Sequence, residues 1–528
     1  MLNAASKFET RFVAARTASE CAEIAASPPF QELFLWNDIN LLDILFTPLY
    51  LTCLQLARQQ PVYSSRWSTF RKTAYRLRGI LRRQMATWLA ASAQPAEVLF
   101  WPCEPTHIGA MMPVANEARI LSRRVFLASD ARTFFQLRQR NQPAIFVDAI
   151  WSEQLNAVLR EKRSQIGDGA VLRQGVKASL ANQARNSEDY CQTLSILLQK
   201  NLPLAARAVA AAELAFQQIE PRTVVVGNDL TTQGRAACLV AKQLGVISVC
   251  PSHGRVACDA NQAFHIADHL AVYGESQRQT LISCGIASAR IDVVGAPYLD
   301  TLPPQGHQMH PAISARLKVP AATPWVLVAL SGAGHLVSHS HHQQTIASLF
   351  AACQQLPHVH FVVKLHRKDR PFHYRDCPAN IRKRFHVISN NARGFPSSIF
   401  DWLQGTSVLL TGASHVAVES MLMQVPVITM DFANELGDTD FIQQQATIHV
   451  KTPEQLVRAV KSVIANPDAY ATACDRAKQF VERDFYKLDG QASARTAELI
   501  LRKTPNADDG SAQQLRLKLG KQSANLNS

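Results

Sequence analysis

Two rhythms of apolar and polar positions divide the chain. Up to about residue 95 the apolar residues fall at helical spacing, with few of the short β-branched runs that strands need. Leu33 to Ala57 is strongly apolar, but Asn37, Asp38, Asn40 and Asp43 interrupt it, and Pro48 breaks the helical pattern. This predicts two short buried helices, followed by an Arg-rich third at about 66–90, so residues 1–96 read as a helical N-terminal extension or cap.

From residue 97 short apolar runs alternate with helical stretches, the signature of parallel βαβ units. The first series predicts strands at 98–102, 124–129, 144–149, 223–228, 246–251, 269–274 and 291–296, with a helical insertion at 151–218 after the third. Residues 301–323, rich in Pro, Gln and His, read as an interdomain linker. A second series follows, with strands at 325–330, 360–365, 385–389, 407–412, 426–431 and 446–450, closed by helices at 453–465, 468–481 and 490–502. The tail, 504–528, is polar and reads as mobile. The predicted fold class is therefore α/β: a Rossmann-like domain at 97–300 and another at 324–503, with a cleft expected between them. Ligands of such sheets bind beyond the carboxyl ends of the strands.

The chain has 528 residues, 47% of them hydrophobic and 18% charged, which gives ample core and excludes a disordered chain. No apolar run reaches 18 residues, and the N-terminus lacks the apolar region of a secretory signal. Eleven scattered cysteines, with no C-x-x-C and no zinc-finger spacing, read as reduced thiols in a cytosol. The net charge of +14 favours anionic partners. From Ile44 to Ala96 there is no Asp or Glu, while Arg66, Arg71, Lys72, Arg76, Arg78, Arg82 and Arg83 are all present. That stretch reads as a solvated helix face or as a patch for an anionic membrane surface or an anionic substrate; no nucleic-acid-binding signature accompanies it.

Four constellations carry chemistry. Pro251 to Gly254 (PSHG) follows an apolar strand, which puts His253 at the ligand edge, with Gly254 expected to allow a sharp turn. A neutral imidazole there can take a proton from a hydroxyl. Leu330 to His335 (LSGAGH) offers backbone N–H groups for a phosphate at Ser331, Gly332 and Gly334. His335, His339, His341 and His342 crowd nearby, but no carboxylate accompanies them, so no metal site is expected. Val362 to Asp369 (VVKLHRKD) places Lys364 and His366 on one face, with Arg367 and Lys368 beside them, suited to a pyrophosphate. Leu409 to Asp431 is a strand–turn–helix–strand block: Thr411 and Gly412 end the strand, Ser414 is expected to cap the helix, and Glu419 is placed to accept ribose hydroxyls.

The last block, with ERDFYKLDGQASAR at 482–495 and its D-G-x-A-S element Asp489 to Ser493, resembles GT-B glycosyltransferases of bacterial surface polysaccharide assembly. Within them it is most similar to the group of capsule polysaccharide transferases and CDP-glycerol glycerophosphotransferases. The resemblance spans about 97–502 and is most specific at 223–300 and 400–495. It implies an N-terminal acceptor domain and a C-terminal nucleotide-sugar domain. His253 matches a His-Gly motif with a catalytic or acceptor-side role, with Gly254, Asn228 and Asp229 on the acceptor side. His366 matches the His of a His-Pro motif contacting the donor phosphate, although Arg367 stands where that motif has Pro. Ser414 and Glu419 match the donor-binding turn and helix.

The expected function is transfer of a sugar from a nucleotide-activated donor to a hydroxyl of a surface glycan or lipid-linked acceptor. His253 would be the base; Lys364, His366 and the helix at Ser414 would stabilise the departing phosphate. No metal and no cofactor beyond the nucleotide sugar is expected. The expected location is the cytosol, peripheral on the inner face of the cytoplasmic membrane. Rival readings are a CDP-alditol phosphotransferase and a non-catalytic glycan- or nucleotide-binding subunit. A hydrolysing sugar-nucleotide epimerase shares the fold, but no acidic cluster suited to its elimination chemistry is visible in the sequence.

Overall fold

The computed structural model describes chiefly residues 4–26, 34–57, 69–151, 192–254, 260–300 and 308–506, less short breaks within these spans. The chain divides into two compact units: Glu9–Asp300 together with Phe485 onward, and Thr301–Asp484 together with Met1–Phe8.

The first unit is built on seven parallel strands: β1 (Val98–Trp101), β2 (Arg124–Ala128), β3 (Ala144–Phe146), β4 (Thr223–Val226), β5 (Ile247–Pro251), β6 (His269–Val272) and β7 (Ile291–Val293). Their order is β3-β2-β1-β4-β5-β6-β7. β1 and β4 are buried along their whole length, as parallel strands covered on both faces must be. They pair with each other from Val98–Thr223 to Trp101–Val226, which puts the reversal of strand order between them.

Around this sheet lie α1 (Ala4–Ala26), α2 (Leu41–Ala57), α3 (Thr69–Leu89), α4 (Leu202–Ile219) and α5 (Thr232–Leu244). The extension is not a separate body: Leu45, Tyr50, Phe216 and Val224 share one core. Of the two short helices expected at 33–57, one, α2, is found among the described residues, running through Pro48. Proline removes a single helical hydrogen bond; burial of Leu41, Ile44, Leu45, Leu49 and Tyr50 holds the helix across the gap. The 151–218 insertion is described chiefly at its end, as α4 and the helical turn Leu197–Asn201 before it.

The second unit carries six parallel strands: β8 (Trp325–Ala329), β9 (His360–Lys364), β10 (Phe385–Ile388), β11 (Val408–Thr411), β12 (Val427–Met430) and β13 (Ile448–Val450). Their order, β10-β9-β8-β11-β12-β13, repeats the first sheet's logic, with the reversal between β8 and β11. Its helices include α6 (His339–Gln355), α7 (Val416–Leu422), α8 (Pro453–Ala465) and α9 (Pro467–Asp484). All thirteen expected strands are present, each within its expected span. The expected linker contains a helix, Pro311–Leu317, that belongs to this unit.

The last helix, α10 (Ala492–Lys503), departs from the expected 324–503 domain and joins the first unit. Its Ala497 and Ile500 pack with Phe100, Phe126 and Val225 on one face of the first sheet. Asp300 caps it, accepting from the amides of Ala492 at 3.0 Å and Ser493 at 2.6 Å. Asp489 and Arg495 form a two-pronged ion pair at 2.9 Å. The D-G-x-A-S element is therefore a docking device for this helix. The tail beyond residue 506 lies outside the described residues. The nine described cysteines are all free thiols.

Candidate functional site

Each sheet gathers polar side chains at its strand ends, and each group is described within its own unit.

In the first unit β4 ends at Val226 and the chain turns through Gly227, Asn228 and Asp229 into α5. Asn228 Oδ1 accepts from Leu230 N at 2.9 Å, and Thr231 caps α5 by accepting from Gly234 N at 3.1 Å. Gly227 must be glycine, since a Cβ there would lie 2.5 Å from the His107 ring. His107, on the loop after β1, is buried, and its Nδ1 accepts from Glu104 N at 3.2 Å. That contact leaves Nε2 as the protonated nitrogen of a neutral ring. Burial, reinforced by His253, lowers the His107 pKa to about 3.

His253 follows β5 as expected, and its ring centroid lies 4.7 Å from that of His107. Its edge is exposed, yet the protein around it and His265 depress its pKa, against the Gly227 carbonyl and Asp229. Gly254 has no left-handed backbone and open space around it, so the sharp glycine turn is not found. Glu104, Asn228, Thr231, His253, Gln262 and His265 line a cavity of about 520 Å³.

Asp229 is placed differently from the expected acceptor-side contact. It is fully buried: Oδ2 accepts from Ile266 N at 2.7 Å and Ala267 N at 2.9 Å, and Oδ1 meets His265 Nδ1 at 2.5 Å. Burial alone would raise its pKa, but His265 and the two amides outweigh it and hold it at about 2. Asp229 thus positions His265, whose Nε2 lies 2.9 Å from Gln262 Oε1.

In the second unit Ser331 and Gly332 follow β8, and Gly332 has φ +74°, with a Cβ there falling 3.1 Å from the Asp369 amide. Gly334, Arg367 and Lys368 lie outside the described residues. Thr411 does not offer its hydroxyl to a ligand: it is buried, and Oγ1 donates to Ala329 O at 2.7 Å, tying β11 to β8. Ser414 does not cap α7 through its side chain; His415 occupies the cap position, and Ser414 N donates to Gly412 O at 3.0 Å. Lys364 and Glu419 do come together. Burial pushes the Glu419 carboxyl up to about 7 against the pull of Lys364, and burial lowers Lys364 against the pull of Glu419. His366 is exposed at the end of β9.

A raised carboxyl pKa means that folding takes up a proton. The associated stability is full below the ordinary value of 4.5 and is lost as pH rises to about 7. Glu419→Gln should therefore be more stable than the wild type at pH 8, by about 1–3 kcal/mol, with the gap closing toward pH 4.5. Thermal melts across that range check this; a gap independent of pH would refute it.

Sequence reasoning missed His107, His265 and His373, and it named His342 and Asp369 without their pairing, which spans 27 residues. Its Arg-rich stretch is partly accounted for: Arg83 and Arg207 both pair with Asp148, the latter at 2.7 Å. No helix among the described residues is long and apolar enough to cross a membrane.

A solved structure of UDP-GlcNAc 2-epimerase from Neisseria meningitidis, bound to UDP-GlcNAc, is similar to this chain at 14% identity and TM-score 0.50, covering 77% of this chain and 100% of that one. A second structure of a UDP-N-acetylglucosamine 2-epimerase has 14% identity and TM-score 0.50, covering 78% and 99%. Such likeness shows the fold: two parallel-sheet, Rossmann-like α/β units of the GT-B-like kind. No curated protein sequence matches the chain. The sequence model of the family described as UDP-N-acetylglucosamine 2-epimerase matches residues 199–501. That match overturns the expected glycosyltransferase, and neither the alditol phosphotransferase nor the non-catalytic subunit agrees with it. The chain belongs to the UDP-N-acetylglucosamine 2-epimerase family of enzymes.

Proposed function

We propose that the protein binds a UDP-activated amino sugar and inverts it at C2. The observation that carries this is the family match over residues 199–501, a segment that includes Asp229, His253 and His265 of one sheet edge and Lys364 and Glu419 of the other. In a pyranose, C2 of an N-acetylhexosamine is not next to a carbonyl, so its hydrogen is not acidic. It can leave as a proton when the C1–O bond to the diphosphate breaks, the C–H electrons forming a C1–C2 double bond. The diphosphate departs with the C–O pair, and reversal from the other face inverts C2. This asks for a base, for cations at an anionic leaving group, and for a grip on the nucleoside.

His253, neutral at pH 7, is the proposed base, with His265 held beside it by Asp229. Lys364, His366 and Arg367, with the amides at Ser331, Gly332, Gly334 and the Gly412–Ser414 turn, are proposed to hold the diphosphate. Glu419 is proposed to accept from ribose hydroxyls, and Glu419→Ala should weaken UDP binding in a folded variant. No glycan acceptor enters this reaction; its product class suits assembly of surface polysaccharide. The test is incubation with UDP-N-acetylglucosamine in deuterated water, followed by proton NMR. The expected result is the C2 epimer, nucleotide-bound or released with free UDP, carrying deuterium at C2. Unchanged substrate without deuterium would defeat the proposal.

A peripheral membrane contact is proposed on narrower grounds. α3 exposes Leu81, Met85 and Trp88, the last 84% exposed, at i, i+4 and i+7, with exposed Arg82 among them. Anionic vesicles should sediment the protein at low salt and release it at high salt, and Trp88→Ser with Arg82→Gln should abolish this. Equal sedimentation with neutral vesicles, or none with either, would end that reading.

A further inference from the structure

Expected from sequence as histidines without a carboxylate, the start of α6 acquires one through the fold. The loop after β9 brings Asp369 and His373 against His342. Asp369 Oδ1 lies 3.2 Å from His342 Nε2 and 2.6 Å from His373 Nδ1. The three ligand atoms lie within 4.8 Å of one another, and His342 and Asp369 are buried at 3% and 4% exposure. We propose that these residues form a binding site for a single divalent transition ion of the zinc class.

Two imidazole nitrogens and one carboxylate oxygen suit zinc, cobalt or nickel, and the nitrogens argue against magnesium or calcium. Two ligands of one tetrahedral zinc stand about 3.4 Å apart, given bonds near 2.1 Å. The His342–Asp369 distance already fits, and rotation of the half-buried His373 opens the shorter contact. The outer contacts of a metal site are also in place. Tyr374 Oη donates to Asp369 Oδ2 at 2.8 Å, and Arg370 N donates to Oδ1 at 2.8 Å. These donors keep the carboxylate oriented.

The bound ion would lock the loop 369–374 to α6, directly behind Gly332, whose Cβ position lies 3.1 Å from the Asp369 amide. It would thus stiffen the turn after β8 without taking part in C2 chemistry, and the proposal stands apart from the epimerase reading. The competing arrangement is a pair of His–Asp hydrogen bonds with no ion.

The experiment separates them. The full chain, stripped with chelator and dialysed, is titrated with zinc chloride against a chromophoric chelator, and its melting temperature is followed. The wild type should bind one equivalent tightly and melt higher with zinc. His373→Gln keeps an amide donor for Asp369 but is a poor ligand, so it should fold, lose the equivalent and lose the zinc-dependent shift. His339→Ala, which removes an exposed histidine of the same stretch, should keep both. Cobalt in place of zinc should give the visible bands of a tetrahedral site in the wild type and not in His373→Gln. Absence of a tight equivalent in the wild type, or its retention in His373→Gln, would overturn the proposal.

Discussion

Replacing His253 by alanine is expected to lower turnover about 10²-fold or more while leaving UDP binding unchanged. The side chain lines the cavity after β5, against a neutral His107 that cannot compete with it for a proton near neutrality. Its pKa is depressed below the ordinary 6.5, chiefly by the surrounding protein. The base must be unprotonated, so kcat/KM should rise with pH through a midpoint below 6.5 and be flat at neutral pH. That acidic limb should vanish in the variant. Steady-state rates from pH 4 to 8 check both points. Near-full turnover in a folded His253→Ala protein would remove the residue from the chemistry.

Asp229→Ala is expected to destabilise the protein by about 3 kcal/mol and to reduce turnover as well. The variant leaves the amides of Ile266 and Ala267 buried without their acceptor, at about 1–3 kcal/mol each, and frees His265 to rotate. The same carboxylate sets an acid limit. Its folded pKa, about 2, lies below its ordinary 3.8, so its contribution is present above pH 4 and disappears as pH falls to about 2. Denaturant titrations at pH 7 and at pH 2.5 should therefore show a large gap between wild type and variant at the first and a small one at the second. His265→Ala should lower turnover and also cost part of that stability, because it removes the partner that helps hold the buried Asp229 carboxylate ionised while the two amides stay satisfied. Equal stability of Asp229→Ala and wild type at pH 7 would show that the buried contacts carry no weight.

The strands were legible because parallel strands, covered on both faces, are written as short continuous apolar runs; VVV in β4 and WVLV in β8 leave no room for another reading. His253 was legible because such a run ends directly before it. Asp229 could be located but not interpreted, since its partners lie 36 to 38 residues on and only the folded loop reveals that its oxygens are occupied. His107 carried no local signal: it sits in a short turn and owes its neutrality to burial, packed against Gly227 in the turn after β4. The helix at 490–502 was legible as a helix, but its place was not, because an amphipathic stripe does not say which sheet it covers. The reaction was the least legible, since a fold and a phosphate-binding edge serve transfer and inversion alike.

The return of α10 to the first sheet has a consequence for cutting the molecule. The polypeptide passes between the units after Phe8, after Asp300 and before Phe485. A break in the backbone between residues 300 and 308 would not give two free particles, because the C-terminal fragment still carries α10 seated on Phe100, Phe126 and Val225. Expression of residues 9–300 alone would instead strip that sheet face of its cover and expose apolar surface to self-association. The split form that should remain soluble is therefore a noncovalent pair made by nicking the intact chain.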